Sequence, residues 1–136
     1  MSRNIVITGA NRGIGLALVQ QYVAISDSVF AICRNSSVEL NSISGVTIIE
    51  GIDVTKDLDL RQLRETLGDI DIDILINNAG TNFPEHFTKV KKKNMEYMVK
   101  LNTISTFHVA QLCAIKMLKT INRKKIANIN SIAMPL

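Results

Sequence analysis

The chain has 136 residues, 46% hydrophobic and 21% charged, with 16 Lys and Arg against 12 Asp and Glu for a net charge of +4. That mixture suits one globular domain and argues against disorder, and no apolar run approaches the ~18 residues that a membrane span needs. Much of the positive charge sits in "KVKKK" (89–93) and "NRKK" (122–125); neither contains an aromatic residue for base stacking, so both read as solvated surface and no nucleic-acid partner is expected.

In chain order, "NIVIT" (4–8) is a run rich in β-branched residues that ends in glycine-bearing turn chemistry, as a buried parallel strand does. From Ile14 the apolar positions step to Ala17, Leu18, Tyr22 and Ile25, the stripe of a helix lying on a sheet. "SVFAIC" (28–33) is a second strand, and a short polar connection leads to a third, "VTIIEGI" (46–52). Asp57 suits the N-cap of the next helix, whose apolar face carries Leu60, Leu63 and Leu67. "IDILIN" (72–77) is a fourth strand, followed by helical stretches over about 88–100 and 103–120 and a fifth strand at about 125–131. Strands alternating with helices imply an α/β fold, an open, doubly wound parallel sheet of Rossmann type in one domain over 1–136.

Three further features bear on partners and compartment. The stretch from Ile104 to Leu118 is apolar on almost every side, with Phe107, Val109, Ala110, Leu112, Ile115 and Met117 too spread for one stripe. A helix apolar all round must be covered on both sides, which points to a homo-oligomer formed through 103–120. The N-terminus lacks the long apolar core of a signal peptide, which reads as cytoplasmic. Cys33 and Cys113 both lie in apolar runs and are expected as reduced, buried thiols.

"TGANRGIG" (8–15) follows the first strand and opens the first helix. Gly9 permits a tight turn, Gly13 a close backbone approach to a pyrophosphate, and Gly15 close helix–strand packing, while the helix N-terminus faces an anion with free amides. The spacing is Gly-x-x-x-Gly-x-Gly rather than the commoner Gly-x-Gly-x-x-Gly. On these residues, with "NNAG" (77–80), "LNTIST" (101–106) and "ANINSIAM" (127–134), the chain resembles the short-chain dehydrogenases/reductases. "CRN" (33–35) and the overall spacing look most like their carbonyl-reductase branch of C-factor and sniffer type.

The resemblance implies a cofactor loop at Gly9, Asn11, Arg12, Gly13, Ile14 and Gly15, and a second signature at Asn78, Ala79 and Gly80. It implies a catalytic Asn102, a substrate-binding Ser131, and an adenine contact at Asp53 and Val54, although Asp53 also fits a role in shaping the entry to the next helix. The implied reaction is hydride transfer between a nicotinamide and a carbonyl or secondary-alcohol substrate. NAD-binding forms of this fold place an acid at the end of the second strand; here Cys33 stands there, followed by Arg34, with Arg12 in the glycine loop. Two guanidinium groups suit a 2′-phosphate, each charge-assisted bond contributing about 1.5–3 kcal/mol, so NADP(H) is expected over NAD(H).

The family's proton donor is a tyrosine followed four positions later by a lysine. The two tyrosines here are followed at that spacing by Ser26 and Leu101. The expectation is therefore a chain truncated before that pair and without the family's C-terminal strands. Such a chain is inactive alone, so a non-catalytic nucleotide-binding or interaction module stands as the alternative. It also leaves the fifth strand as an open, pairing-prone sheet edge.

Overall fold

The computed structural model describes residues 2–119 and 121–130. Five parallel strands form one sheet in the order β3-β2-β1-β4-β5: β1 (Asn4–Thr8), β2 (Ser28–Ile32), β3 (Val46–Ile49), β4 (Ile74–Asn77) and β5 (Lys125–Asn128). The strand order reverses between β1 and β4, which leaves a crevice at their carboxyl ends. β1 is central and buried on both faces, so its middle residues Ile5, Val6 and Ile7 are all apolar and feed two cores. Val6 joins the cluster beneath α3 (Asp57–Leu67) and α5 (Thr106–Met117), with Leu63, Leu67, Val109, Cys113 and Met117. Ile5 and Ile7 face α1 (Gly13–Ala24) and α2 (Val38–Asn41), through Val19 and Leu40. The Rossmann-type, doubly wound parallel sheet of the sequence reading is the architecture observed.

Local differences have identifiable causes. The inward face of α1 carries Gly15, Val19, Tyr22 and Val23, while Ala17 and Ile25 are exposed. The glycine loop sets the helix phase from Gly15, so the apolar residue count alone misplaces the stripe. Asp57 is the first residue of α3 rather than its cap; Lys56 holds the cap position with no side-chain bond, and Asp57 and Asp59 act on the helix dipole from the first turn. The polar connection after β2 contains α2, whose cap is Ser37 Oγ accepting from the Leu40 amide at 3.1 Å. Four residues are too few to display a helical period.

The two stretches read as separate helices are one kinked rod: α4 (Lys92–Val99), a π-helical turn over Lys100–Ser105, then α5. α5 buries Val109, Cys113, Lys116 and Met117, and exposes Phe107, Ile115 and Leu118 on the far side. The Lys116 ammonium donates to the Gly68 carbonyl, tying α5 to the end of α3. Both cysteines are free and buried, and burial pushes the Cys113 thiol up to about 12. Among the described residues β5 pairs with β4 alone, and its Ile126 is 44% exposed. No helix among the described residues is long and apolar enough to cross a membrane.

At the opposite end of the sheet, Arg3 anchors the start of β1. Its Nη2 and Nε donate to Asp27 at 2.5 and 3.2 Å, and its backbone amide donates to Oδ1 at 3.0 Å. The Arg3 side-chain bonds hold the Asp27 carboxyl below its ordinary value against the opposing effect of burial. A carboxylate depressed in the folded state stabilises above its unfolded pKa, about 3.9, and that contribution is lost as pH falls through the folded value. Asp27→Asn is therefore expected to lower the urea midpoint near pH 7, with the gap from wild type closing below about pH 4; a gap independent of pH would show that the pair's charge is immaterial.

Candidate functional site

The crevice is built where two loops are fastened together. β1 ends at Thr8, whose Oγ1 accepts from the backbone amides of Asn78 and Ala79, both at 3.0 Å. In return Asn78 Nδ2 donates to the Gly9 carbonyl at 3.0 Å. Gly9 turns the chain at φ +63°, and a Cβ there would lie 2.9 Å from the Ala79 Cα. At Gly15 a Cβ would lie 2.1 Å from the Gly9 oxygen and 2.5 Å from Asn78 Nδ2. Gly15, in the first turn of α1, thus lets the helix pack closely on the Gly9 carbonyl and the Asn78 side chain, where the motif alone suggests packing on the strand. Gly13 differs: at φ +54° a Cβ would meet nothing within 4 Å, so this glycine lies against open space at the start of α1. No acidic residue occupies that helix's first turn, and its free amides form an anion-accepting end.

A second wall comes from the carboxyl ends of β2 and β3. The Cys33 amide donates to Ile49 O at 3.1 Å, the Ile52 amide to Cys33 O at 3.1 Å, and the Gly51 amide to Arg34 O at 3.0 Å. Ser37 Oγ donates to the Asn11 carbonyl at 2.6 Å, holding this arm against the glycine loop. Burial, and secondarily the Glu50 charge, push the Cys33 thiol up. Burial also raises the Asp53 carboxyl, but Thr55 outweighs it: its hydroxyl and amide donate at 2.7 and 2.9 Å, and with the Lys56 and Arg34 charges they leave Asp53 below the usual carboxylate range. Asp59 Oδ2 accepts from the Asp53 amide at 2.9 Å, so Asp53 also shapes the entry to α3.

The third wall is the loop after β4 and the kinked helix. Asn102, in the π turn, spends both ends of its amide on one residue: Oδ1 accepts from the Thr81 amide and Nδ2 donates to the Thr81 carbonyl, each at 2.9 Å. Its side chain is thereby a strap on the loop that begins at Gly80, where a Cβ would lie 3.2 Å from Asn102 Oδ1.

Together these walls enclose a cleft of about 480 Å³. Gly9, Asn11, Arg12, Gly13 and Ile14 line it from the glycine loop, Arg34, Asp53 and Val54 from the second wall, and Asn78, Ala79 and Gly80 from the third. Gly15 is buried behind the lining and Asn102 stands behind Gly80 and Thr81. Ser131 lies outside the described residues. Sequence reasoning passed over Ile32, Asn35, Ile52, Tyr97 and Leu101, which also line the cleft, and Thr8, which fastens it. Thr8 stands inside the quoted glycine motif, but a threonine closing a strand carries no signal of the residues seventy positions away that it binds.

A family model described as short chain dehydrogenase matches residues 3–135. A very-long-chain 3-oxoacyl-CoA reductase from Coccidioides immitis is 29% identical over 121 residues, covering 80% of this chain and 35% of that protein. A solved short chain dehydrogenase from Leptospira borgpetersenii with bound NAD+ superimposes with a TM-score of 0.84 at 25% identity, covering 97% of this chain and 52% of that one. An NADPH-bound carbonyl reductase from chicken fatty liver does so with a TM-score of 0.72 at 28% identity, covering 85% and 48%. The chain spans about a third of the length of the curated relatives it matches and about half of these two solved chains.

Replacing Thr8 by Val keeps its shape and removes the acceptor of two amides. Leaving buried donors unpaired costs about 1–3 kcal/mol. Thr8→Val is expected to lose roughly that much in urea unfolding while Thr8→Ser retains most of it; equal losses in the two variants would place the effect in packing instead.

Proposed function

This chain belongs to the short chain dehydrogenase family, and from that premise we propose that it carries the NADP(H) site of an oxidoreductase acting on a carbonyl or secondary alcohol. The observation that carries the reading is the cleft itself: a glycine cradle at a helix N-terminus, fastened to a second loop, with Arg12 and Arg34 on its lining and Cys33, not an acid, at the end of β2. The residues fit a dinucleotide. Gly9 and Gly15 have no room for side chains, and Gly13 leaves backbone bare where a phosphate needs to approach. Bound there, the nicotinamide supplies or accepts a hydride.

The roles of the chain's own groups follow from position. The first-turn amides of α1 receive the pyrophosphate, Arg12 and Arg34 the 2′-phosphate, and Asp53 and Val54 the base. The "CRN" arm and the likeness to the NADPH-bound chicken reductase support the carbonyl-reductase branch. Asn102 orders the loop through Thr81, while the assignment of Ser131 to the substrate oxygen rests on the family resemblance of its motif and not on position. These 136 residues contain no Tyr-x-x-x-Lys, so they do not include the proton-donating pair that the family resemblance implies. That same lack favours a second reading, a module that binds nucleotide without turnover. We also place the protein in the cytoplasm and, from the exposed Phe107, Ile115 and Leu118, in a homo-oligomer through α5.

A binding titration should find NADPH at least about tenfold tighter than NADH, a gap of about 1.4 kcal/mol, with Arg34→Ala abolishing the difference; tighter NADH binding sinks the NADP reading. Light scattering should give a multiple of the monomer mass, reduced to the monomer by Phe107→Glu. A monomeric wild type removes the oligomer.

A further inference from the structure

The cleft contains an aromatic side chain that neither the glycine motif nor the fold requires. Tyr97 lines it from α4, one helical turn before Leu101, which lines it too. The two differ in what else they do. Leu101 packs against the core beneath α3 and α5, whereas Tyr97 belongs to neither core cluster, and α4 buries no residue at all. The Tyr97 hydroxyl makes no hydrogen bond to a described residue. Its ring touches Phe83 edge-on, with centroids 6.4 Å apart and planes at 63°, and Phe83 lies in the loop that Asn102 straps down. A half-buried ring in a single T-shaped pair keeps at least one face clear of its aromatic neighbour for a planar partner.

The surroundings define that partner. Ile52 and Val54, both buried, flank Asp53 on the cleft's lining, and Leu101 lines it as well. The Asp53 carboxylate, whose Oδ1 accepts from the Thr55 hydroxyl and amide, is an acceptor on that same stretch. An apolar slot with one anionic acceptor and one aromatic wall suits a purine bearing an exocyclic amine. Resting on the nucleotide reading above, we infer that Tyr97 is the second wall of the base-binding end, stacking on the adenine and deciding affinity for the adenosine half of the cofactor. The π turn over Lys100–Ser105 supports this assignment, because such bulges offset one helix segment from the next and recur at functional sites.

The probe is adenosine 2′,5′-bisphosphate, which carries the base and the 2′-phosphate without the nicotinamide. Tyr97→Ala is expected to weaken its binding by roughly tenfold or more, the scale of base–aromatic stacking, while Tyr97→Phe keeps wild-type affinity. A second readout is independent of the folding of the alanine variant. The chain has two tyrosines and no tryptophan, so Tyr22→Phe leaves Tyr97 as the lone emitter, and the ligand should quench it in a saturable way. Wild-type affinity in Tyr97→Ala, or emission unchanged at saturation, overturns the role of Tyr97 alone. A wild-type chain that binds neither this probe nor NADPH overturns the nucleotide reading itself, and with it this one.

Discussion

The oxygen of Thr8 is the point on which the cleft depends. It accepts two consecutive backbone amides from across the β1–β4 crevice, those of the two residues that directly follow β4. Half-buried backbone amides need a partner, and here the one hydroxyl serves both. Once the loops are joined, the room left between them is less than a methyl group, and glycine is forced at positions 9 and 15. The motif is thus a consequence of a contact between loops, as well as a surface for a ligand.

How much of this the sequence discloses follows the same division. The five strands and their parallel arrangement were legible because buried strands of this class are short, continuous apolar runs between helical periods. The glycine loop and Asn78 to Gly80 were legible because backbone geometry admits few alternatives. What escaped was tertiary. The phase of α1 is set by Gly15 rather than by its apolar residues, and α2 is too short for a period. Tyr97 reaches the cleft because a π turn, which has no sequence mark, joins two segments into one rod. Asn102 was singled out, but its two bonds to Thr81 could not be read from a distance of twenty-one residues.

Charge at the second wall is more finely balanced than residue types suggest. The end of β2 carries no acid, yet Glu50 accepts from the Ser36 amide at 2.8 Å and is close enough to raise the Cys33 thiol, while Asp53 lies within the field of Arg34. Arg34 therefore emerges into a neighbourhood already holding two carboxylates. Under the proposed NADP(H) reading, a 2′-phosphate would compete with them for its guanidinium, so the net electrostatic gain would be smaller than two free arginines give.

The strand order has a further consequence, for the time course of folding. β1 meets β2, and β2 meets β3, across short intervals, so that side of the sheet can assemble soon after it is made. Its other neighbour, β4, is some seventy residues away along the chain, and closing a loop of that length precedes any reward from the pairing. The Thr8 contact forms only with that closure. The glycine loop and the arm that Ser37 ties to it can form with the early strands, but the cleft gains its remaining wall only with the longest-range pairing in the sheet.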